Sequence, residues 1–204
     1  LFDFNMHLDN NELVGLICPN GAGKTTVFNL ITGIYRPDSG EIIFNGENLV
    51  GKKPHVICQK GIARTFQNIR LFNDLSVLDN VLVSYHKDIR YGIGSAVIRL
   101  PGFFKEEQRI REEAAGLLQI FGLKDRMMER AGSLPYGEQR RLEIVRALAT
   151  RPLLLILDEP AAGMNPQETR ELMELMRQIR EQYSLTMLLI EHDMSLVMGV
   201  CERI

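Results

Sequence analysis

An α/β fold, with a mostly parallel sheet, an antiparallel β edge and an inserted helical lobe, is predicted by three features of this 204-residue chain. A Gly-rich segment ending in Gly21-Ala22-Gly23-Lys24-Thr25-Thr26 joins an apolar strand to a helix. Helical patterning replaces strand patterning from about Ser76 to Thr150. Beyond Arg151-Pro152 two short, wholly apolar runs return, separated by an amphipathic helix, which is the pattern of parallel strands buried on both faces.

Taken in order, Phe2 to Leu8 alternates as a strand does, and Leu13 to Ile17 is a second strand. Val27 to Thr32 carries the helix after the Gly-rich segment. Gly40 to Phe44 is a third strand closed by Asn45-Gly46, a dipeptide suited to a two-residue hairpin because both residues tolerate positive φ. Ser76 is placed to cap a helix from Val77 to Tyr85, and Lys105 to Phe121 and Glu138 to Ala149 have helical apolar spacing. Glu107 and Arg111 sit four apart on the charged face of the second of these, a solvated face with no assigned chemistry. Between Asp88 and Phe104 the chain is too apolar for a linker and too irregular for a helix. Leu153 to Leu157 and Thr186 to Ile190 are the core strands, with a helix from Gln167 to Gln182 between them.

Composition narrows the class. Hydrophobic residues make up 45% of the chain, enough to bury one sizeable core. A net charge of −2 without a basic block excludes a nucleic-acid footprint, so no nucleic-acid partner is expected. The apolar runs fall far short of the ~20 residues a membrane-spanning helix needs. Three widely separated cysteines, Cys18, Cys58 and Cys201, argue against a disulfide framework and for a reducing compartment. Both ends read as cut, since the chain opens inside the alternation Leu1 to Leu8 and stops at Ile204 without a capping signal; a fragment is expected.

Two motifs carry chemistry. In the Gly-rich segment Gly21 and Gly23 let successive N–H groups turn inward, Lys24 neutralises phosphate charge, and the Thr25 hydroxyl is suited to Mg²⁺. A turn that merely caps a helix would share the glycines. Cys18 stands where the pattern GxxxxGK[ST] has Gly. If that position needs positive φ, a side chain costs roughly 1–3 kcal/mol and crowds the phosphates, weakening their binding; at negative φ it has little consequence. The second motif is Asp158-Glu159 at the end of the strand Leu153 to Leu157, where the first acid would hold Mg²⁺ and the second face an attacking water. Taken alone, the two acids would equally suit a solvated turn.

The fragments Gly21 to Thr26, Arg64-Thr65-Phe66-Gln67, Leu134-Pro135-Tyr136-Gly137-Glu138-Gln139-Arg140-Arg141, Leu157-Asp158-Glu159-Pro160 and Ile190-Glu191-His192-Asp193 occur in the order of ABC transporter ATPase subunits, which the chain resembles over nearly its whole length. Leu134 to Gln139, Glu159 to Pro166 and Arg64 to Phe72 are similar to the ATP-binding subunits of branched-chain amino-acid importers. The resemblance implies a P-loop NTPase core formed by 1–66 and 151–204, with a helical signature subdomain, 67–150, that begins at the Gln67 loop. It implies ATP bound by Asn20, Gly21, Ala22, Gly23, Lys24, Thr25 and Thr26, with Mg²⁺ held by Thr25, Gln67 and Asp158. Glu159 would polarise or orient the water, His192 would sense the γ-phosphate, and Gln67 would join the catalytic set.

Pro135, Tyr136, Gly137 and Glu138 match the signature loop that completes the ATP site of an opposing subunit, so the resemblance also implies a homo- or heterodimer. Pro135 replaces the Ser, and Tyr136 a Gly, of the commoner signature, which removes one hydroxyl from the γ-phosphate. Asn165 stands where many relatives have an interface Asp. The implied partners are ATP, a second ATPase subunit and transmembrane permease subunits met near Gln67 to Phe72. The implied location is peripheral, on the cytoplasmic face of the inner membrane. The implied function is ATP hydrolysis driving import, of branched-chain amino acids by the narrower resemblance. Rival expectations are an ATPase of lipopolysaccharide extraction, whose branch is shorter at Asp88 to Phe104, and a soluble non-transport ABC ATPase.

Overall fold

The computed structural model describes residues 3–17, 22–88, 101–192 and 194–204. The chain divides into two compact units, Leu1–Gln67 with Pro152–Ile204, and Asn68–Arg151.

The first unit is built on a four-stranded parallel sheet in the order β1-β6-β5-β4, from β1 (Leu13–Leu16), β4 (Ile62–Arg64), β5 (Leu154–Asp158) and β6 (Thr186–Ile190). The two central strands are the two continuous apolar runs, and all but Thr186 of their residues are buried. One pleat face carries Val14, Ile62, Leu154, Ile156, Leu188 and Ile190 against Val27, Phe28 and Ile57. Val27 and Phe28 come from α1 (Lys24–Ile31) and Ile57 from α2 (Pro54–Gln59). Leu155, Leu157, Met187 and Leu189 alternate to the opposite face and are buried there. The helix between the core strands, α6 (Pro166–Tyr183), buries Leu172, Met173, Met176 and Ile179, a stripe at helical spacing. It opens with a capping box: Asn165 Oδ1 accepts from Gln167 and Glu168 N–H, and the Glu168 carboxylate accepts from Asn165 N–H, each at 2.9 Å. After α7 (Met194–Val200) the chain returns beside β1, where Gly15 N–H donates to Arg203 O at 2.8 Å.

The antiparallel edge is shorter than its sequence pattern. The ribbon comprises β2 (Ile43–Phe44) and β3 (Glu47–Asn48), with Asn45 and Gly46 at φ 49° and 76° in the turn, as Asn-Gly allows. No strand forms over 3–8, although alternation predicts one. Met6 and Leu8 pack onto the core while Phe4 is exposed, so the alternation is used for packing without a hydrogen-bonded partner strand.

The second unit is helical: α3 (Val77–Leu82), a 3₁₀ turn (Val83–Asp88), α4 (Pro101–Ile120) and α5 (Tyr136–Ala149). Ser76 caps α3 as predicted, accepting from Asp79 N–H at 3.0 Å, but the helix tightens to 3₁₀ after Leu82. On α4 the ion pairs run through Arg109 to Glu106 and Glu113. Most of the apolar segment Asp88 to Phe104, residues 89–100, lies outside the described residues.

Candidate active site

Parallel strands end on one edge of their sheet, so residues just after β4, β5 and β6 are brought together whatever their separation in sequence. Those residues are Gln67, Glu159 and His192. Gln67 Nε2 donates to Glu159 Oε2 at 3.1 Å, and His192 Nε2 pairs with Glu159 Oε1. Lys24, at the first position of α1 and only 9% exposed, brings its ammonium to His192 Nδ1 at 2.9 Å. An ammonium only donates, so Nδ1 accepts and the Nε2 hydrogen faces Glu159. Lys24, His192, Glu159 and Gln67 therefore form one hydrogen-bonded chain.

Gly23 precedes Lys24 at φ 100°, a left-handed conformation that lets the loop turn into α1 without a Cβ clash. The N–H groups of the first helical turn, among them Thr25 and Thr26, have no carbonyl partner within the helix and suit an anion. Ala22 and Thr25 are exposed and Thr26 is half-buried. Cys18, Asn20 and Gly21 lie outside the described residues.

Asp158 is the last residue of β5 and is buried. Its N–H donates to the Thr65 hydroxyl at 3.3 Å, and its Oδ2 accepts from Arg64 Nη2 at 2.9 Å. Arg64 also donates to Asn29 Oδ1 at 2.8 Å and lies 5.1 Å and 5.4 Å from the ring centroids of Phe28 and Phe66. A guanidinium held in this way fixes the carboxylate it pairs with. Neither Arg64 nor Asn29 was assigned a role from sequence. The available signal was a charged residue ending the buried strand β4, which demands a partner.

Glu159 is left-handed, with φ 49°, and its N–H donates to Ile190 O at 3.0 Å. Glu191 was likewise unassigned. It is buried, and its Oε1 accepts from Ala161 N–H at 2.9 Å. Burial pushes its carboxyl above the ordinary carboxylate range, against the N–H groups of Ala161 and His192, which pull it down.

In the helical unit, Pro135 is the N-cap residue of α5, Tyr136 its first residue and 46% exposed, and Gly137 and Glu138 fall in its first turn. Glu138 lies 3.2 Å from Arg126 Nε. The segment after Gln67 is held by Asn80, which is fully buried: its Oδ1 accepts from Phe72 N–H, and its Nδ2 donates to Phe72 O and Ser76 O, all at 3.0 Å. Arg146, on α5, adds a guanidinium 4.9 Å from the Phe72 ring centroid and a hydrogen bond to Arg70 O. Among the described residues no helix is long and apolar enough to cross a membrane.

A parallel sheet with a lysine, an amide and two acids at its strand ends is the core of a P-loop α/β nucleotide hydrolase. The profile of the ABC transporter family matches residues 1–162. The high-affinity branched-chain amino acid transport ATP-binding protein LivG of Escherichia coli K12 is 46% identical over 200 residues, 98% of this chain and 78% of that protein. BraF of Pseudomonas aeruginosa, of the same description, is 44% identical over the same shares. The lipopolysaccharide export ATP-binding protein LptB of Haemophilus influenzae is 33% identical over 98% of this chain and 77% of that one. Among solved structures, cbiO1 of Clostridium perfringens, part of the transporter complex cbiONQ, has a TM-score of 0.80 at 28% identity, covering 98% of this chain and 74% of that one. The ADP conformation of MJ1267, an ATP-binding cassette, has a TM-score of 0.76 at 28% identity, covering 95% and 75%. The chain belongs to the ABC transporter family, and within it to the ATP-binding subunits, which are ATPases coupled to transport.

Proposed function

We propose that this chain powers the import of branched-chain amino acids, hydrolysing ATP at an interface shared with a second ATPase subunit. The observation that carries the chemistry is the hydrogen-bonded chain from Lys24 through His192 and Glu159 to Gln67. Identity of 46% to LivG against 33% to LptB favours the amino-acid branch over lipopolysaccharide export.

In this reading the loop ending in Gly23-Lys24-Thr25-Thr26 cradles the phosphates with N–H groups and the Lys24 charge, helped by Asn20, Gly21 and Ala22. The hydroxyl of Thr25, the carboxylate of Asp158 and the amide oxygen of Gln67 are hard oxygen donors, and this donor set fits Mg²⁺. They would hold the ion, which when bound would neutralise phosphate charge. Arg64 keeps Asp158 oriented. Glu159 aims a carboxylate oxygen at the attacking water, and His192, released from Lys24, turns its imidazole to the γ-phosphate. Pro135, Tyr136, Gly137 and Glu138 present the N-terminal end of α5 to the nucleotide of the opposing subunit. The surface near Gln67 to Phe72 meets the permease on the cytoplasmic face of the membrane.

The test is purification of the full-length subunit with its permease from native membrane, followed by reconstitution into vesicles. Leucine, isoleucine or valine uptake that requires ATP is expected. Permease-bound ATP turnover that no branched-chain amino acid stimulates, with no uptake, would overturn the reading.

A further inference from the structure

We propose that Glu191 is a positioning residue that sets the distance between Glu159 and His192 by tying the turn after β5 to the end of β6. The proposal rests on the reading above, in which Glu159 handles the water and His192 faces the γ-phosphate.

Glu159 must reach His192 from a left-handed backbone, φ 49°, that a residue with a Cβ adopts only when its surroundings hold it there. Two ties hold it. Before the turn, Glu159 N–H donates to Ile190 O at 3.0 Å. After it, Ala161 N–H donates to Glu191 Oε1 at 2.9 Å. The turn 159–161 is thus stitched at both ends, to Ile190 at the end of β6 and to Glu191 just after it. Glu191 immediately precedes His192 in the chain, so its bond to Ala161 joins the two sides of the pair.

A carboxylate is a costly choice for this work. Glu191 is only 6% exposed, and a buried acid is retained without penalty only where donors satisfy it. A carboxylate oxygen accepts from the Ala161 N–H, which an apolar side chain of the same size cannot do. The substitution that removes this function while keeping the volume is therefore Glu191→Leu. Glu191→Gln keeps one side-chain carbonyl at the same reach.

The test uses the full-length subunit in its transporter complex, with steady-state ATP hydrolysis and amide hydrogen exchange as readouts. Glu191→Leu is expected to lower kcat about 10- to 100-fold with KM for ATP within about twofold, because displacement of a catalytic pair near 1 Å has that effect. Exchange at the Ala161 amide should quicken at least about tenfold, as its acceptor is gone. Glu191→Gln should recover kcat to within about threefold of the parent. A Glu191→Leu kcat within twofold of the parent, KM rising in step with the fall in kcat, or unchanged exchange at Ala161 would each overturn the proposal. Glu159→Gln run alongside separates the two ideas: if it keeps full turnover, the water-handling reading is what fails, and exchange at Ala161 still decides the tie.

Discussion

Gln67 Nε2 donates to Glu159 Oε2 over 3.1 Å while His192 Nε2 takes the other carboxylate oxygen. Three strand ends, β4, β5 and β6, therefore meet on one side chain. A carboxylate gripped on both oxygens has a fixed plane, so the direction in which it can accept a proton or orient a water is set before substrate arrives. One residue earlier, Arg64 holds one carboxylate oxygen of Asp158, Oδ2, at 2.9 Å.

Gly15→Ala should destabilise the nucleotide-binding unit by about 1–3 kcal/mol through overpacking. A Cβ there would lie 2.4 Å from Val197 Cγ1 and 3.0 Å from Cys201 Sγ. Val197 is β-branched and cannot turn away freely. Urea unfolding checks the loss, and adding Val197→Ala should recover part of it, a coupling that a double-mutant cycle measures.

How much of this was legible from sequence depended on the range of the interaction. Leu153 to Leu157, observed as Leu154–Asp158, and Thr186 to Ile190 were readable because an uninterrupted apolar run has few alternatives to a strand buried on both faces. Ser76 and the Asn45-Gly46 turn were readable because caps and tight turns are local chemistry. Phe2 to Leu8 misled because alternation declares a buried face but not a partner strand. Arg64 and Glu191 had no legible role, since their partners lie 94 and 30 residues away and only the sheet brings them into reach.

Asn80→Ala should cost about 1–3 kcal/mol, because it removes three hydrogen bonds from a fully buried side chain and frees the backbone groups they hold. Phe72 N–H and O both depend on this side chain. Denaturant unfolding gives the stability. Amide exchange should show the Phe72 segment loosening well beyond α5, which has its own intrahelical bonds.

Cys201 should resist alkylation. Burial pushes its thiol up to about 12, partly opposed by Arg177. At pH 8 the thiolate fraction is then about 10⁻⁴, against roughly a quarter for an ordinary thiol, so native alkylation should be about a thousandfold slower than in urea. The native rate should rise about tenfold per pH unit up to that pKa. Because the folded chain holds this proton more tightly, its contribution to stability is present below the ordinary thiol pKa and is lost as pH rises towards 12. Peptide-resolved mass spectrometry of Cys201 checks both rates.

ATP turnover by Glu159→Gln in the full-length subunit with its permease tests the central claim most directly. Gln keeps the shape and the contact with His192 but not the charge that accepts a proton. Turnover should fall at least about a hundredfold while ATP affinity stays within about threefold, and the ATP-bound dimer should accumulate. Turnover equal to that of the parent chain would contradict the assignment of Glu159 as the group that readies the water.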